Sequence, residues 1–123
     1  MLSSPPPRIL IVDDEAAQMR ALCDTLPDHG YQTAGFTDAE AALENLSKVK
    51  CDLLLADLMM PRMDGIQLRT ELLNDPELAR IPVVVLSADP SAIVAAKSLS
   101  FSGSLRKPVP LEALLAAVHA HCA

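Results

Sequence analysis

The chain has 123 residues, the length of a single domain that can bury a hydrophobic core without disulfide bonds or structural metals. Half of the residues are apolar, but no apolar run approaches the roughly 20 residues that a membrane-spanning helix requires, so we expect no membrane contact. The net charge of −6 repels polyanions, which argues against direct nucleic-acid binding and favours cations or basic partners.

Residues 1–7 end in three consecutive prolines and predict a flexible, extended lead-in to a domain that spans residues 8–123. The start of the chain lacks the basic region and long apolar segment of a signal peptide. The three cysteines show neither a CxxC motif nor a His–Cys ligand spacing, and we expect them to be reduced. These features together predict a cytoplasmic protein.

The first strand and helix are predicted from two hydrophobic patterns. Ile9–Val12 is a run of β-favouring apolar residues, and the acidic residues Asp13 and Asp14 follow it directly. Apolar residues then recur at the spacing of one helix face until Gly30, which is placed as a C-terminal cap. That face comprises Met19, Leu22, Cys23 and Leu26.

A short edge strand and a second helix come next. Residues 31–36 alternate only weakly between apolar and polar, as edge strands often do. Thr37 or Asp38 can then cap a helix over residues 39–46.

The third strand is the most apolar and leads to a single acidic residue. Leu53–Ala56 is typical of a strand buried on both faces, and it delivers Asp57 to a loop. Pro61 and Gly65 prevent the strand from continuing, and a third helix is predicted over residues 66–73.

The last part of the chain predicts two further strands and two helices. Ile81–Leu86 is an apolar strand that finishes at Ser87, and Pro90 opens a fourth helix to about Leu99. Residues 101–106 form a short fifth strand that Lys107 and Pro108 interrupt. The apolar face of a fifth helix comprises Leu111, Leu114, Leu115 and Val118.

Five strands that alternate with five helices predict an α/β fold with right-handed crossovers and a parallel sheet covered on both faces. The first, third and fourth strands are the most apolar and should be central. Ligands of such sheets bind beyond the carboxyl ends of the strands. The polar residues at those ends are Asp13, Asp14, Asp57, Ser87 and Lys107. We therefore expect them to form one site.

Three carboxylates beside one lysine suit a cation and a phosphate group. The carboxylates of Asp13, Asp14 and Asp57 repel one another unless a cation lies between them. Mg²⁺ prefers such oxygen ligands and usually also binds an anionic substrate oxygen, with Mn²⁺ as an alternative ion. Lys107 and the Ser87 hydroxyl can both contact a phosphoryl group, and Asp57 can be its nucleophile.

Four segments of the chain resemble the receiver domains of two-component response regulators. They are Ile11–Glu15, Asp57–Gly65, Val85–Ala88 and Lys107–Pro108, and they occur in the order that the family has. The resemblance covers residues 8–120. It implies a flavodoxin-like, doubly wound sheet of five parallel strands in the order 2-1-3-4-5, with five helices.

The resemblance also implies a role for each site residue. Asp57 would accept a phosphoryl group from a histidine kinase or a histidine phosphotransfer protein, Lys107 would pair with that group, and Ser87 would be the switch hydroxyl. The implied Mg²⁺ ligands are Asp13, Asp14, Asp57 and the backbone carbonyl of Met59. The bond before Pro108 is usually cis in the family. Receivers phosphorylate and dephosphorylate themselves, so the resemblance does not imply a turnover enzyme.

One position departs from the family pattern. Ser104 stands three residues before the lysine, where receivers usually carry Tyr or Phe, and Ser100 and Phe101 replace a common Gly-Ala pair. We expect phosphorylation to survive these changes. Our hypothesis is that the signal leaves through loops and the fourth helix, without a rotamer change at Ser104.

Two other functions stay open on the same fold. A small Mg²⁺-dependent phosphohydrolase with an aspartyl phosphate would need an acid two residues after the nucleophile, where this chain has Met59. A flavin or nucleotide binder would need a glycine-rich phosphate loop or stacking aromatics, and only Tyr31, Phe36 and Phe101 are available. A receiver can stand alone or belong to a larger regulator or hybrid kinase. A downstream protein or a linked output domain is therefore expected as a further partner.

Overall fold

Five apolar segments pair as the strands of one parallel sheet. The computed structural model describes residues 6–58, 65–91, 94 and 101–122. The strands are β1 (Arg8–Val12), β2 (Gln32–Phe36), β3 (Leu53–Asp57), β4 (Val83–Ser87) and β5 (Gly103–Arg106). Their order is β2-β1-β3-β4-β5, and every pairing is parallel. The predicted fold class and strand order are thus confirmed.

Helices cover both faces of this sheet. In the described ranges they are α1 (Ala16–Thr25), α2 (Ala39–Leu46), α3 (Gly65–Leu73) and α4 (Leu111–Cys122). The helix that was predicted to be the fifth is therefore α4. Most of the predicted fourth helix lies outside the described residues, but Pro90, Ser91 and Val94 are helical. None of the helices in the described ranges is long and apolar enough to cross a membrane.

The end of α1 shows how proline and glycine terminate a helix. Pro27 has no N–H to donate to the carbonyl of Cys23, and the hydroxyl of Thr33 donates to that carbonyl instead, over 3.0 Å. The chain tightens into a 3-10 turn over Leu26–His29 and leaves it at Gly30, whose φ of 92° is left-handed. The predicted stop is therefore confirmed, with an added 3-10 turn.

The side chains of the central strands alternate between two hydrophobic clusters. Leu10 and Leu54 point to the face that α2 and α3 cover, where Leu68 is also buried. Ile11 and Leu55 point to the opposite face, which α1 and α4 cover. Every residue of β3 and β4 is buried, because both strands lie inside the sheet with helices on both sides.

The structure corrects the position of Asp57 by one residue. Asp57 is the last residue of β3, where it pairs with Leu86, and it does not lie in the following loop. The backbone ladder continues past it, because the amide of Leu58 donates to the carbonyl of Leu86 over 3.0 Å. The Asp57 carboxylate is therefore held by the sheet itself.

The residues before β1 also contact the sheet. The amide of Gln32 donates to the carbonyl of Pro7 over 2.8 Å, and its side-chain amide donates to Pro6 over 3.3 Å. The division into a lead-in at residues 1–7 and a domain at 8–123 stays a prediction.

Candidate functional site

The register of the sheet brings four strand ends to the same edge. Val12 pairs with Ala56, which places the next residues, Asp13 and Asp57, side by side. Ser87 pairs with Arg106, so that Lys107 follows directly beyond the end of β4. The pairing of the strands therefore assembles side chains that are far apart in the sequence.

Lys107 joins two of these carboxylates. Its Nζ atom donates to Oδ2 of Asp13 over 2.7 Å and to Oδ2 of Asp57 over 2.9 Å. Its backbone amide donates to the carbonyl of Ser87 over 2.9 Å, which fixes the start of the side chain at the sheet edge. The peptide bond between Lys107 and Pro108 is cis, as the family resemblance implied.

The environment of Lys107 keeps it charged. Burial alone would lower the pKa of the amine, because the charged form loses solvation. The hydrogen bonds and charges of Asp13 and Asp57 outweigh that effect, and the pKa of Lys107 is raised above its ordinary value. The site therefore contains a permanent cation at neutral pH.

The neighbouring residues Asp13 and Asp14 lie in different environments. The Asp13 side chain is 0% exposed, and its second oxygen, Oδ1, accepts a hydrogen bond from the amide of Glu15 over 2.9 Å. Asp14 is exposed. One carboxylate is thus fixed from both sides by the protein, whereas the other faces the solvent.

The three carboxylates meet the geometric requirement of a metal site. Asp13, Asp14 and Asp57 each offer one oxygen, and these oxygens lie within 4.8 Å of one another. Asp57 is only 5% exposed, so the cluster is open mainly on the side of Asp14. Carboxylate oxygens at a partly open site are the donor set of a hard divalent cation. The residues present therefore fit such an ion.

Ser87 lies at the same edge, but its hydroxyl is engaged elsewhere. The side chain is 1% exposed. Its Oγ accepts a hydrogen bond from the amide of Asp89 over 3.0 Å and donates to the carbonyl of Asp89 over 3.3 Å. In this structure the hydroxyl therefore bonds to the backbone two residues later.

An open cavity of about 440 Å³ lies at this edge of the sheet, and its lining residues include Asp57, Ser87 and Lys107. The sequence reasoning did not assign Gln18 to the site. Its side-chain amide donates to Glu15 over 3.1 Å, and both residues line the cavity. One feature of the sequence could have predicted this contact. Gln18 lies three residues after Glu15, and residues at that spacing are neighbours on a helix surface.

Two predicted features lie outside this geometry. Met59, whose carbonyl was expected to be a metal ligand, falls outside the described residues. Ser104 is on β5, where it pairs with Val85, and its side chain is exposed.

Comparisons with known proteins agree with the fold. Residues 9–119 match the family model of the response regulator receiver domain. The response regulator MprA of Mycobacterium leprae is 36% identical over 115 residues, which are 92% of this chain and 50% of that protein. This chain therefore spans about half the length of the curated relatives that it matches.

Solved structures give the same result. The signal receiver domain of a signal transduction histidine kinase from Syntrophus aciditrophicus is 32% identical, with a TM-score of 0.86 over 94% of this chain and 89% of that one. A response regulator receiver protein from Pseudomonas putida is 30% identical, with a TM-score of 0.86 over 96% and 99% of the two chains.

Proposed function

The chain belongs to the response regulator receiver domain family, and from this premise we propose that Asp57 is its phosphoacceptor. The donor is a phosphohistidine of a histidine kinase or of a histidine phosphotransfer protein. The observation that carries the proposal is the position of Asp57, a carboxylate at the end of a buried strand with a lysine 2.9 Å away. A nucleophile, a cation and an open cavity lie together at that point.

The reaction is a transfer of one phosphoryl group without oxidation or reduction. An Asp57 carboxylate oxygen attacks phosphorus, and an O–P bond forms while the N–P bond of the phosphohistidine breaks. The electron pair of that bond returns to the imidazole nitrogen, which takes up a proton. The ammonium of Lys107 lies beside the attacking carboxylate, where it can offset the negative charge of the phosphoryl oxygens.

We assign the metal-binding role to Asp13, Asp14 and Asp57, with the backbone carbonyl of Met59 as a further ligand. The oxygen-only donor set of the three carboxylates supports Mg²⁺, with Mn²⁺ as the alternative. When bound, the ion supplies positive charge to the phosphoryl oxygens. Lys107 donates hydrogen bonds to two of these carboxylates, those of Asp13 and Asp57, and therefore adds its positive charge at the same place.

The Ser87 hydroxyl is the proposed switch group. It lines the cavity beside Asp57, and it can donate to a phosphoryl oxygen after it leaves Asp89. We further propose that the chain carries one phosphoryl group at a time, by self-phosphorylation and self-dephosphorylation at Asp57, and does not turn over a substrate.

The proposal also includes the partners and the cellular location of the protein. We propose that a linked output domain or a separate downstream protein is a further partner; the chain spans about half the length of its curated relatives. The proposal includes a cytoplasmic location, which the three free thiols support.

The test is formation of a covalent adduct, measured by intact mass. The wild type and Asp57→Asn are incubated with acetyl phosphate and Mg²⁺, with or without a chelator. Asp28→Asn, at an exposed position away from the cluster, is the matched control that also removes one charge. We expect one phosphoryl adduct on the wild type and on Asp28→Asn, and none with Asp57→Asn or with chelator. An adduct that survives the Asp57 substitution would overturn the proposal.

A further inference from the structure

A second open cavity lies at the opposite edge of the sheet from Asp57. Its volume is about 510 Å³, which is within the range of small-molecule sites. One wall is the segment 46–52, which leads into β3, and the other is the segment 77–82, which leads into β4. Asp57 and Ser87 lie at the far ends of these two strands. The cavity is therefore separate from the proposed phosphoacceptor site.

Hydrogen bonds of two arginines hold the walls in place. The Asp52 amide donates to the carbonyl of Arg8 over 2.8 Å, and the Arg8 amide donates to Oδ2 of Asp52 over 2.9 Å. The Arg8 guanidinium also donates to Oδ1 of Asn45 over 3.0 Å. On the other wall, the buried Arg69 guanidinium donates to the carbonyl of Ile81 over 3.4 Å. Because both walls are tied to neighbouring elements, the cavity is preformed, as ligand sites usually are.

Part of the cavity lining is apolar. Leu46, Cys51 and Ile81 line the cavity and are buried. Val49 lines it too, and 42% of this residue is exposed to solvent. An apolar group that covers Val49 would remove apolar surface from water, which is favourable. The cavity therefore offers an apolar contact to a ligand.

Three cationic side chains line the same cavity. They belong to Lys48, Lys50 and Arg80, and all three residues are exposed. The Nζ atom of Lys48 donates to Glu44 over 3.1 Å, which balances its charge. The side chains of Lys50 and Arg80 form no hydrogen bond or ion pair with any residue in the described ranges. These two charges are therefore available to a ligand.

The charge around the cavity differs in sign from that of the whole chain. Asp52 and Glu77 also line the cavity, but the Asp52 carboxylate already accepts the Arg8 amide. Arg8 and Arg69 add two guanidinium groups beside the walls. Cationic side chains therefore outnumber acidic ones here, although the net charge of the chain is −6. An anion is the ligand that this distribution favours.

We propose that this cavity binds a small organic anion that carries an apolar group, such as an aliphatic or aromatic carboxylate, sulfonate or phosphate ester. Its acidic group contacts Lys50 and Arg80, and its apolar group covers Val49. The concave shape and the volume favour a small molecule over a protein surface. The proposal does not depend on phosphorylation of Asp57.

The first test compares two probes that differ in one charged group. The anionic probe is 8-anilinonaphthalene-1-sulfonate, and N-phenyl-1-naphthylamine is the same molecule without the sulfonate. In NMR titrations we expect the anionic probe to shift the amides of residues 46–52 and 77–81, and to leave those of Asp13 and Asp57 unchanged. The neutral probe should bind about tenfold more weakly, the effect of losing a charge-assisted hydrogen bond. Equal affinities, or shifts centred on other residues, would overturn the proposal.

The second test removes the two available cations one at a time. Lys50→Gln and Arg80→Gln change exposed side chains, so both variants should fold as the wild type does. Each should bind the anionic probe about fivefold more weakly in a fluorescence titration, the effect of one ion pair of about 1 kcal/mol. Arg20→Gln, at an exposed position on α1, removes the same charge elsewhere and should leave the affinity unchanged. Unchanged affinity in both cavity variants, or an equal loss in Arg20→Gln, would show that the cavity does not recognise the anion.

Discussion

The Nζ atom of Lys107 lies 2.9 Å from Oδ2 of Asp57, although 50 residues separate the two along the chain. The same nitrogen lies 2.7 Å from Oδ2 of Asp13. Both carboxylates are almost fully buried, so solvent does little to screen their mutual repulsion. Lys107 therefore acts as the cation that makes this acidic edge of the sheet stable.

Replacing Lys107 by the uncharged, similarly long methionine should destabilise the protein. The variant Lys107→Met leaves Asp13 and Asp57 without their shared cation, and breaking a buried pair in this way typically costs about 3 kcal/mol. Urea unfolding in the presence of a chelator measures the loss. The exposed pair of Lys48 and Glu44 provides the control, because Lys48→Met should change the free energy of unfolding by less than about 0.5 kcal/mol. Equal effects of the two substitutions would contradict this role of Lys107.

The contribution of Lys107 to the free energy of unfolding should disappear only at high pH. Its pKa is raised in the folded state, so the stability it provides is fully present below the unfolded-state pKa of about 10.4. That stability is lost as the pH rises through the higher pKa of the folded state. The difference in unfolding free energy between wild type and Lys107→Met should therefore stay constant from about pH 7 to pH 9 and shrink above pH 10.4. A decline that begins below pH 9 would show that the pKa is not raised.

Mg²⁺ should stabilise the folded protein through the acidic cluster. A ligand that binds only the folded state raises the melting temperature, by several degrees once its concentration is well above its dissociation constant. Asp14→Asn should remove most of this increase in melting temperature, because it removes one of the three carboxylates of the cluster. Asp14 is the exposed member of the cluster, and changing it breaks no contact of Lys107. Thermal unfolding with a series of Mg²⁺ concentrations measures the effect. Asp28→Asn should respond as wild type does, and an equal loss in both variants would point to general charge screening.

The thiols should be poorly reactive in the folded state. Burial raises the pKa of Cys23 and Cys51, and burial together with the charge of Asp52 raises that of Cys122 to about 11. The thiolate of Cys122 should therefore be about a hundredfold rarer at neutral pH than that of a thiol at the ordinary value of 9.0. Labelling with iodoacetamide at pH 7.5, with and without denaturant, tests this. Equally fast labelling in both conditions would contradict it.

The sequence predicted most of the fold because its local signals agree with one another. The apolar runs before Asp13, Asp57 and Ser87 are strands whose alternate residues fill two cores, and Gly30 ends the first helical stretch with a left-handed residue. The order of the strands came from the family resemblance. Periodicity alone does not specify which strands are neighbours.

The sequence predicted which residues form the candidate site, but it predicted fewer of the contacts between them. Side chains at strand ends converge in any parallel sheet, which is why Asp57 and Lys107 could be assigned together. The bond from Lys107 to Asp13 joins residues 94 positions apart, and no local pattern encodes such a contact. The contacts of Asp89 depend on the path of the backbone after β4, which spacing does not specify.

Asp13 and Asp14 show which properties of the site the sequence determines and which depend on the tertiary structure. The sequence by itself placed two identical acids after the first strand and so determined that a carboxylate pair would stand at this edge of the sheet. Only the tertiary structure decided that Asp13 is buried between Lys107 and the Glu15 amide while Asp14 is open to the solvent. The physical reason is that adjacent side chains leave the backbone in different directions, and the packing of distant strands determines which of them meets protein and which meets water.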